Sequence, residues 1–288
     1  MKRTQFLITA ALICSILVFM PSCSGSSSKD DAETSTSSTV ALPDEDSKST
    51  ASDGIFNYNI YKSFAEVSGY LGGDQVILIP SEAEGLPVMS IARNAFDFNK
   101  TITTVVLPDT ITNIGNYSFR GCENLTSINF PNGLVAIGNY AFVDTGLTDL
   151  IFPDSLTVLG KYSFGNVKIT NLNMPRYIAK TNDYMFANCE NLVSFDLPSC
   201  MTKIPNHMFY NCDALTVITI PDFVTEIDDY AFSACDSLTD IYIPASVTKL
   251  GEGVFIGSES LIIHTPAGSA AEKYAVNYKM NYDNAMEG

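Results

Sequence analysis

The chain has 288 residues, 46% of them hydrophobic, which is enough apolar material for one or two packed domains. Its 32 acidic and 16 basic residues give a formal net charge of −16. This charge argues against nucleic acid as a partner, because phosphate binding requires clustered Lys and Arg, and it disfavours docking on anionic lipid.

The first 22 residues have the pattern of a bacterial signal peptide. A positively charged start precedes an apolar run from Phe6 to Met20, which is too short to span a membrane comfortably but suits a signal-peptide core. Cys23, which follows a small residue at the end of this core, resembles the lipidated Cys of a bacterial lipobox. Met20 and Pro21 depart from the usual lipobox residues, so ordinary secretory cleavage is the alternative. We predict a signal peptide over residues 1–22 and a lipid anchor on Cys23, through which alone the protein would contact a membrane.

The segment after the Cys is predicted to be a disordered tether. Residues 24–54 contain ten Ser, four Thr and seven acidic residues and almost nothing apolar, so they cannot bury enough surface to offset chain entropy. A flexible chain of 31 residues has a root-mean-square reach of about 30 Å. Lys29-Asp30-Asp31 also resembles the acidic surface-export signals of some Bacteroidota lipoproteins. Residues 23–54 are therefore predicted to link the lipid anchor to a folded domain at the cell surface.

An internal repeat of 22 or 23 residues fills the rest of the chain. Pro recurs after an apolar residue, at Pro80, Pro108, Pro131, Pro153, Pro175, Pro198, Pro221 and Pro244. Phe recurs in the same register, at Phe96, Phe119, Phe142, Phe164, Phe186, Phe209, Phe232 and Phe255. Seven units over residues 102–260 begin at Ile102, Leu125, Leu147, Ile169, Leu192, Leu215 and Leu238. Their shared template is L-x-x-I-x-I-P-x-x-V-x-x-I-G-x-x-A-F-x-x-C-x-x, and residues are numbered below by their position in it.

The template predicts one coil of a solenoid per unit. Positions 4 and 6 are apolar with a variable residue between them, which predicts a short strand, and the Pro at position 7 ends it. Positions 13, 17 and 21 recur at spacings of four with Phe at position 18, which predicts a helical stripe of about two turns. A single coil leaves its apolar side exposed, so only stacking of successive coils closes a core.

These units resemble BspA-type leucine-rich repeats, also called the Treponema pallidum type, and the resemblance covers residues 55–288. It implies a β-rich α/β solenoid: a right-handed coil with a parallel sheet on one face and short helical or 3-10 segments on the other. Residues 55–101 are similar to the family's opening, which implies a β-hairpin cap and a first, degenerate coil. Residues 261–288 include a segment, Ala270 to Tyr278, similar to the family's closing helix.

The chain offers little chemistry. Four Cys residues occupy position 21: Cys122, Cys189, Cys212 and Cys235. Steps of 23 residues lack the spacing of a metal site, and parallel side chains in register give poor disulfide geometry, so we predict buried free thiols. Cys200, at position 9, is predicted to lie in a more exposed turn. His207 replaces the Tyr usual at position 16, and His264 has no evident partner. With no nucleophile elbow, phosphate loop or paired-carboxylate motif, we predict no enzyme, cofactor or metal.

The candidate binding face consists of strand positions 3 and 5, which point away from the core. Its members are Thr104, Val106, Ser127, Asn129, Asp149, Ile151, Asn171, Asn173, Ser194, Asp196, Val217, Thr219, Asp240 and Tyr242. The side chains of the row are small, polar and slightly acidic, so the sequence does not predict a binding hot spot among them. A face that is merely solvated is an equal alternative. The Tyr residues of position 16 are a second, weaker candidate surface.

The resemblance implies a cell-surface module that adheres to host matrix proteins or to other bacteria. We therefore predict a non-enzymatic surface lipoprotein that binds a protein partner through the solenoid. A glycan- or nutrient-capturing lipoprotein is one alternative, which exposed aromatic platforms would support and the strand face lacks. A structural surface spacer is another.

Overall fold

The computed structural model describes residues 49–284, so the predicted signal peptide, Cys23 and most of the predicted tether lie outside the described residues. The described part of the chain contains twenty short strands and one helix. In chain order the elements are β1 (Ser49–Ser52), β2 (Phe56–Ile60), β3 (Ala65–Tyr70), β4 (Val76–Leu78), β5 (Glu82–Ala83), β6 (Leu86–Ile91), β7 (Thr104–Val106), β8 (Asn113–Ile114), β9 (Ser127–Ile128), β10 (Ala136–Ile137), β11 (Val158–Leu159), β12 (Asn171–Asn173), β13 (Ser194–Asp196), β14 (Lys203–Ile204), β15 (Val217–Thr219), β16 (Glu226–Ile227), β17 (Asp240–Tyr242), β18 (Lys249–Leu250), β19 (Ile262–His264), α1 (Ala270–Tyr278) and β20 (Asn281–Asp283).

The strands at positions 3–5 form a parallel array, called here the front sheet, as the template predicts. It has three hydrogen-bonded sections, in the orders β4-β7-β9, β12-β13 and β15-β17-β19-β20. Equivalent positions of successive coils pair with each other, for example Ile218 with Ile241 and Ile241 with Ile263. These position-4 side chains are buried, while their neighbours at positions 3 and 5 face outward.

A second parallel sheet, which the sequence did not predict, lies at positions 12 and 13. One section continues from the N-terminal strands in the order β1-β2-β3-β6-β8-β10-β11, and another has the order β14-β16-β18. A single bridge between Val158 and Lys180 extends the first section by one coil. Strands of two residues are too short to show a period of two in the sequence, which is why this sheet was missed.

The remaining side of each coil is built from turns, and the prediction of helical or 3-10 segments there was wrong. Residues at positions 16 and 20 adopt the left-handed backbone conformation, for example Tyr117 with φ 59° and Gly121 with φ 68°. Backbone N–H groups then bond to the next coil: Tyr117 to the Asn139 carbonyl at 2.9 Å, and Phe119 to the Ala141 carbonyl at 2.9 Å. A helix would direct these bonds within one coil, whereas the left-handed residues at positions 16 and 20 interrupt the helical path, and the N–H groups bond along the stack instead. Among the described residues, α1 is the only helix.

The Phe side chains of position 18 form a continuous buried stack. Adjacent ring centroids lie 4.8 Å apart at Phe96–Phe119 and 6.4 Å apart at Phe186–Phe209, and all seven steps are stacked. The rings from Phe119 to Phe232 are 0% exposed. Burying one such side chain stabilises the fold by about 1.5–3 kcal/mol, so this stack is a principal part of the core.

Caps cover both ends of the stack. At the N-terminus β1, β2 and β3 are antiparallel, which confirms the hairpin cap. Because β1 is ordered, the expectation that the tether is disordered up to residue 54 was wrong for Ser49–Ser52; these polar residues pair through their backbone with β2. At the C-terminus α1 places Tyr274 edge-on against Phe255 at 5.8 Å, and β20 adds a last parallel strand. None of the helices within residues 49–284 is long and apolar enough to cross a membrane.

Candidate binding surfaces

The fourteen residues of the candidate binding face lie on the outward side of the front sheet. Eleven are exposed, and Thr104, Asp240 and Tyr242 are half-buried. The row contains three carboxylates and no basic side chain. Each member is flanked in sequence by a position-4 residue that belongs to the core or packs against it.

The front sheet is interrupted in its middle, at the coil that begins at Leu147. Asp149 and Ile151 belong to no strand, and Ile151 is 83% exposed. In the coil before, the Asn129 side chain replaces a backbone partner: its Oδ1 accepts from the Leu107 N–H at 2.7 Å, and its Nδ2 donates to the Leu107 carbonyl at 2.9 Å. The interruption coincides with the only two units of 22 residues, which lack position 23. The candidate face is therefore divided into an N-terminal and a C-terminal part.

The N-terminal part has an apolar end that the sequence analysis missed. Val76 and Leu78 of β4 point outward, 57% and 66% exposed, and pair in register with Thr104 and Val106. Val76, Leu78 and the 41%-exposed Val106 form what we call the apolar patch. The motif Val-Ile-Leu-Ile-Pro over residues 76–80 matches template positions 3–7, and this signal could have revealed the strand.

The C-terminal part contains a buried His between two carboxylates, so the expectation that His264 lacks a partner was wrong. Its Nε2 lies 2.9 Å from Asp240 Oδ1, and its Nδ1 lies 2.9 Å from Asp283 Oδ1. Burial of His264 opposes the charged ring, but the hydrogen bonds and negative charges of both carboxylates outweigh it and raise its pKa. The hydrogen bond from His264 lowers the pKa of Asp240. This Asp240–His264–Asp283 bridge joins β17, β19 and β20, and the ring of Tyr242 stacks on it at 4.3 Å.

The position-16 side chains form a second aromatic stack, half-buried at the surface. It comprises Tyr117, Tyr140, Tyr162, Tyr184, His207 and Tyr230. Neighbouring centroids lie 4.2–5.7 Å apart. His207 fills a Tyr slot, and its Nδ1 has no hydrogen-bond partner within residues 49–284. Arg93 lies 5.1 Å from the centre of the first ring, that of Tyr117. The rings cover each other's faces, so they present edges and hydroxyl groups to solvent rather than flat platforms.

The position-21 thiols are buried, as predicted, and all four are free cysteines in the described part of the chain. Each donates to the carbonyl of a Phe in the preceding coil, for example Cys122 to Phe96 at 3.1 Å and Cys235 to Phe209 at 3.3 Å. Burial raises the pKa of Cys122 and Cys235 to about 12, so neither is a reactive thiolate. Cys200 is half-buried, with its Sγ 3.6 Å from the Ile178 carbonyl oxygen. Residues 49–284 contain no group of three or more His, Cys, Asp or Glu residues that could hold a metal ion.

Comparison with known proteins agrees with this architecture. The model of the BspA type leucine rich repeat region matches in six copies, over residues 89–166 and 135–262, more than half of the chain. None of the curated proteins matches.

Several solved structures are similar to this chain. A leucine-rich repeat protein from Bacteroides ovatus ATCC 8483 is 26% identical with a TM-score of 0.65, over 79% of this chain and 65% of that protein, so this chain spans just under two thirds of its length. The T. pallidum leucine rich repeat protein is 23% identical with a TM-score of 0.54, over 83% of this chain and 100% of that one. A leucine-rich repeat protein from Eubacterium ventriosum ATCC 27560 is 19% identical with a TM-score of 0.50, over 77% and 73%. With the stacked coils and the matched repeats together, the chain belongs to the BspA-type leucine-rich repeat family.

Proposed function

We propose that this protein is a non-enzymatic surface module that binds a protein partner through its front sheet. The observation that carries the proposal is the row of outward side chains at positions 3 and 5, eleven of them exposed, on a rigid stack of coils. Because the strands are already ordered, binding on this face costs little conformational entropy. Proteins built from leucine-rich repeats are interaction modules in general, and family membership supports the same role here.

The electrostatics favour a partner with a basic surface. The three carboxylates of the candidate face have no basic neighbour within it, and the whole chain carries a formal charge of −16. Complementary charge increases the rate of association and selects partners more than it increases affinity. Binding by this face should therefore weaken as salt is raised.

We place the module outside the cell, on the bacterial surface, attached by lipid on Cys23. The support is the sequence pattern of residues 1–23 and the Ser-rich segment that follows. A Cys23→Ala variant is expected to leave the membrane fraction and become soluble after export. The parent chain should incorporate radioactive palmitate and the variant should not, and a parent chain without label would contradict the anchor.

A protein partner is favoured over a glycan by the state of the aromatic rings. Sugars are commonly held on open ring faces, but the position-16 rings stack on one another. Tyr242, the only aromatic residue of the candidate face, is stacked on His264. Within the described residues, each ring on these two surfaces is therefore stacked on at least one other ring.

The test compares binding by two charge-matched variants of the chain without residues 1–23. Asp149→Lys with Asp196→Lys changes two exposed carboxylates of the candidate face. Asp109→Lys with Asp222→Lys makes the same change at position 8, where both residues are exposed outside that face. Binding to immobilised host matrix proteins should weaken about tenfold in the first variant and less than about twofold in the second.

Three outcomes would count against the proposal. Equal loss in both variants would show that net charge, not the front sheet, governs binding. Reproducible binding on a glycan array without any protein partner would favour the glycan-capturing alternative. Binding to neither class of ligand would favour a structural spacer.

A further inference from the structure

Basic and aromatic side chains meet at the N-terminal end of the position-16 stack. The guanidinium carbon of Arg93 lies 5.1 Å from the centre of the Tyr117 ring, and that of Arg120 lies 4.7 Å from the same centre. Arg120 is also 4.8 Å from the centre of the Phe98 ring, and Lys100 Nζ lies 5.8 Å from it. We call Arg93, Phe98, Lys100, Tyr117 and Arg120 the arginine–aromatic cluster. It contains two of the four Arg residues of a chain whose net charge is −16.

Phe98 is an unusual residue for its place in the coil. It lies at position 20, where the other coils have Gly121, Asp144, Asn166, Asn188, Asn211, Ala234 and Gly257. The backbone is left-handed at this position in every coil, with φ 56° at Phe98. Gly and Asn enter this conformation readily, whereas a bulky side chain there is an outlier. The Phe98 side chain is also 56% exposed, so the fold alone favours Asn over Phe at this place.

Neighbouring groups hold the cluster in one arrangement. Arg120 donates from Nε and Nη2 to the two carboxylate oxygens of Asp97, at 2.9 Å and 2.6 Å, which is a bidentate ion pair. The Phe98 ring fills the place of a side chain at Gly121 in the next coil, because a Cβ on Gly121 would collide with that ring. The guanidinium group and the ring are therefore already in place, so binding on the cluster costs little conformational entropy.

The exposed groups of the cluster suit an acidic and partly apolar ligand. Arg93 is exposed, and a guanidinium group pairs with a carboxylate in a planar, bidentate geometry. Phe98 offers apolar contact area in the same cluster. Arg and aromatic residues are enriched among the residues that contribute most to protein–protein binding. This composition differs from that of the front sheet, whose candidate face contains carboxylates and no basic side chain.

The carboxylates around the cluster disfavour a highly charged ligand. Asp97 pairs with Arg120, Glu123 Oε1 lies 2.6 Å from Lys100 Nζ, and the negative charge of Asp144 also acts on Arg120. These groups and the acidity of the whole chain would repel nucleic acid, a sulfated glycan or an anionic membrane. The two ion pairs occupy Arg120 and Lys100, whereas Arg93 is exposed beside the Tyr117 ring. A single carboxylate with an apolar neighbour fits this balance of charges.

We propose that the arginine–aromatic cluster is a second docking site, which binds an acidic and partly apolar segment of a partner protein. A carboxylate of that segment pairs with Arg93, and an apolar side chain packs on Phe98. Asp97 acts indirectly, because it orients Arg120 against the Phe98 ring. The cluster lies at positions 15–22, in the turns of the coil, so the inference does not depend on what the front sheet binds.

A peptide array tests the ligand class with the chain without residues 1–23. The probes are Gly- and Ser-based peptides with a central Asp-Leu-Asp, Asn-Leu-Asn, Asp-Ser-Asp or Lys-Leu-Lys, and a heparin oligosaccharide is immobilised beside them. A carboxylate on each side of Leu allows either chain direction. The Asp-Leu-Asp peptide should bind at least about tenfold more strongly than each of the other peptides. Equal binding to Asp-Leu-Asp and Asn-Leu-Asn, or binding to no peptide, would overturn the proposal. Binding to heparin alone would replace the protein segment with a polyanionic glycan and would overturn it as well.

Three variants test whether this binding depends on the cluster. Arg93→Gln and Phe98→Asn should each weaken binding of the Asp-Leu-Asp peptide at least about tenfold. Arg176→Gln removes an Arg outside the cluster, whose side chain is 70% exposed, and should change binding by less than about twofold. Phe98→Asn should not lower the melting temperature, because Asn occupies position 20 with a left-handed backbone in three other coils. Unchanged binding in either cluster variant, or an equal loss in Arg176→Gln, would overturn the docking site. A lowered melting temperature of Phe98→Asn would assign that ring to the fold and would also overturn it.

Discussion

Two stacks of aromatic rings run along the same turns of the coil and differ in their access to water. The Phe stack of position 18 has centroid steps of 4.8–6.4 Å, and the stack of position 16 has steps of 4.2–5.7 Å. The Phe rings are buried, whereas the position-16 rings are half-buried. The spacing of the coils therefore produces stacking in both places, and burial alone distinguishes them.

The comparison explains which substitutions each stack tolerates. The buried stack is Phe in all eight coils from Phe96 to Phe255. The position-16 stack, called here the outer stack, contains His207 in a Tyr position. At its N-terminal end the guanidinium of Arg120 lies 4.7 Å from the centre of the Tyr117 ring. Aromatic residues at position 16 also adopt a left-handed backbone, which costs about 1–2 kcal/mol per residue. Hydrogen bonds to the next coil offset that cost. The feature that the residues of position 16 share is therefore the backbone conformation rather than the type of ring.

The sharpest test of the comparison is a pair of truncations two residues apart. Phe186→Ala removes a fully buried ring and should lower the free energy of unfolding by about 3–5 kcal/mol. Tyr184→Ala removes a half-buried ring that keeps the same left-handed backbone and should cost about 1–2 kcal/mol. Urea unfolding followed by circular dichroism measures both. Equal losses would show that stacking, and not burial, sets the contribution of a ring.

A second test addresses the close approach of successive coils, which brings neighbouring rings into contact within each stack. A Cβ on Gly138 would lie 2.6 Å from the Asn116 backbone N and 2.7 Å from the Gly115 carbonyl carbon, in the preceding coil. Gly138→Ala should therefore destabilise the protein by about 1–3 kcal/mol. A Cβ on Gly133, in the same unit, would meet its nearest atom at an ordinary 3.4 Å, so Gly133→Ala should change stability by less than about 0.5 kcal/mol. A neutral Gly138→Ala in thermal unfolding would mean that the coils can separate without cost.

What the sequence revealed, and what it hid, follows from the same geometry. The Pro and Phe ladders and the strand at positions 3–5 were predictable because each follows the period of the repeat. The closing helix was predictable from the resemblance to the family. The turns of positions 16–20 were mistaken for a helix because apolar residues that recur every four positions occur in both structures. The outward direction of the candidate face followed from alternation, but its interruption at Asp149 and Ile151 depends on how whole coils stack. The contact between His264 and Asp283 lies outside the seven repeats, so no repeat pattern predicted it.

The smallest expected effects come from the two histidines. His207 in the outer stack and His264 at the end of the front sheet should change the stability in opposite directions with pH. Burial lowers the pKa of His207 despite nearby Asp183 and Asp229, whereas the carboxylates of the bridge raise that of His264 despite its burial. A lowered pKa means that stability is lost as pH falls through the unfolded value of about 6.5. A raised pKa means that stability is present below that value and is lost as pH rises through the folded pKa. Asp240 stays ionised over this range, because its pKa is lowered.

Thermal unfolding between pH 5 and pH 8 should therefore separate two variants. His207→Tyr restores the residue usual at position 16 and should raise the melting temperature at pH 5 more than at pH 8. His264→Gln removes the charge of the bridge and should lower the melting temperature more at pH 5 than at pH 8. If His264→Gln lowered the melting temperature equally at pH 5 and pH 8, the bridge would act through packing against Tyr242 rather than through charge. The rings of the outer stack and the bridge would then be held by the same force, and the contrast between them would disappear.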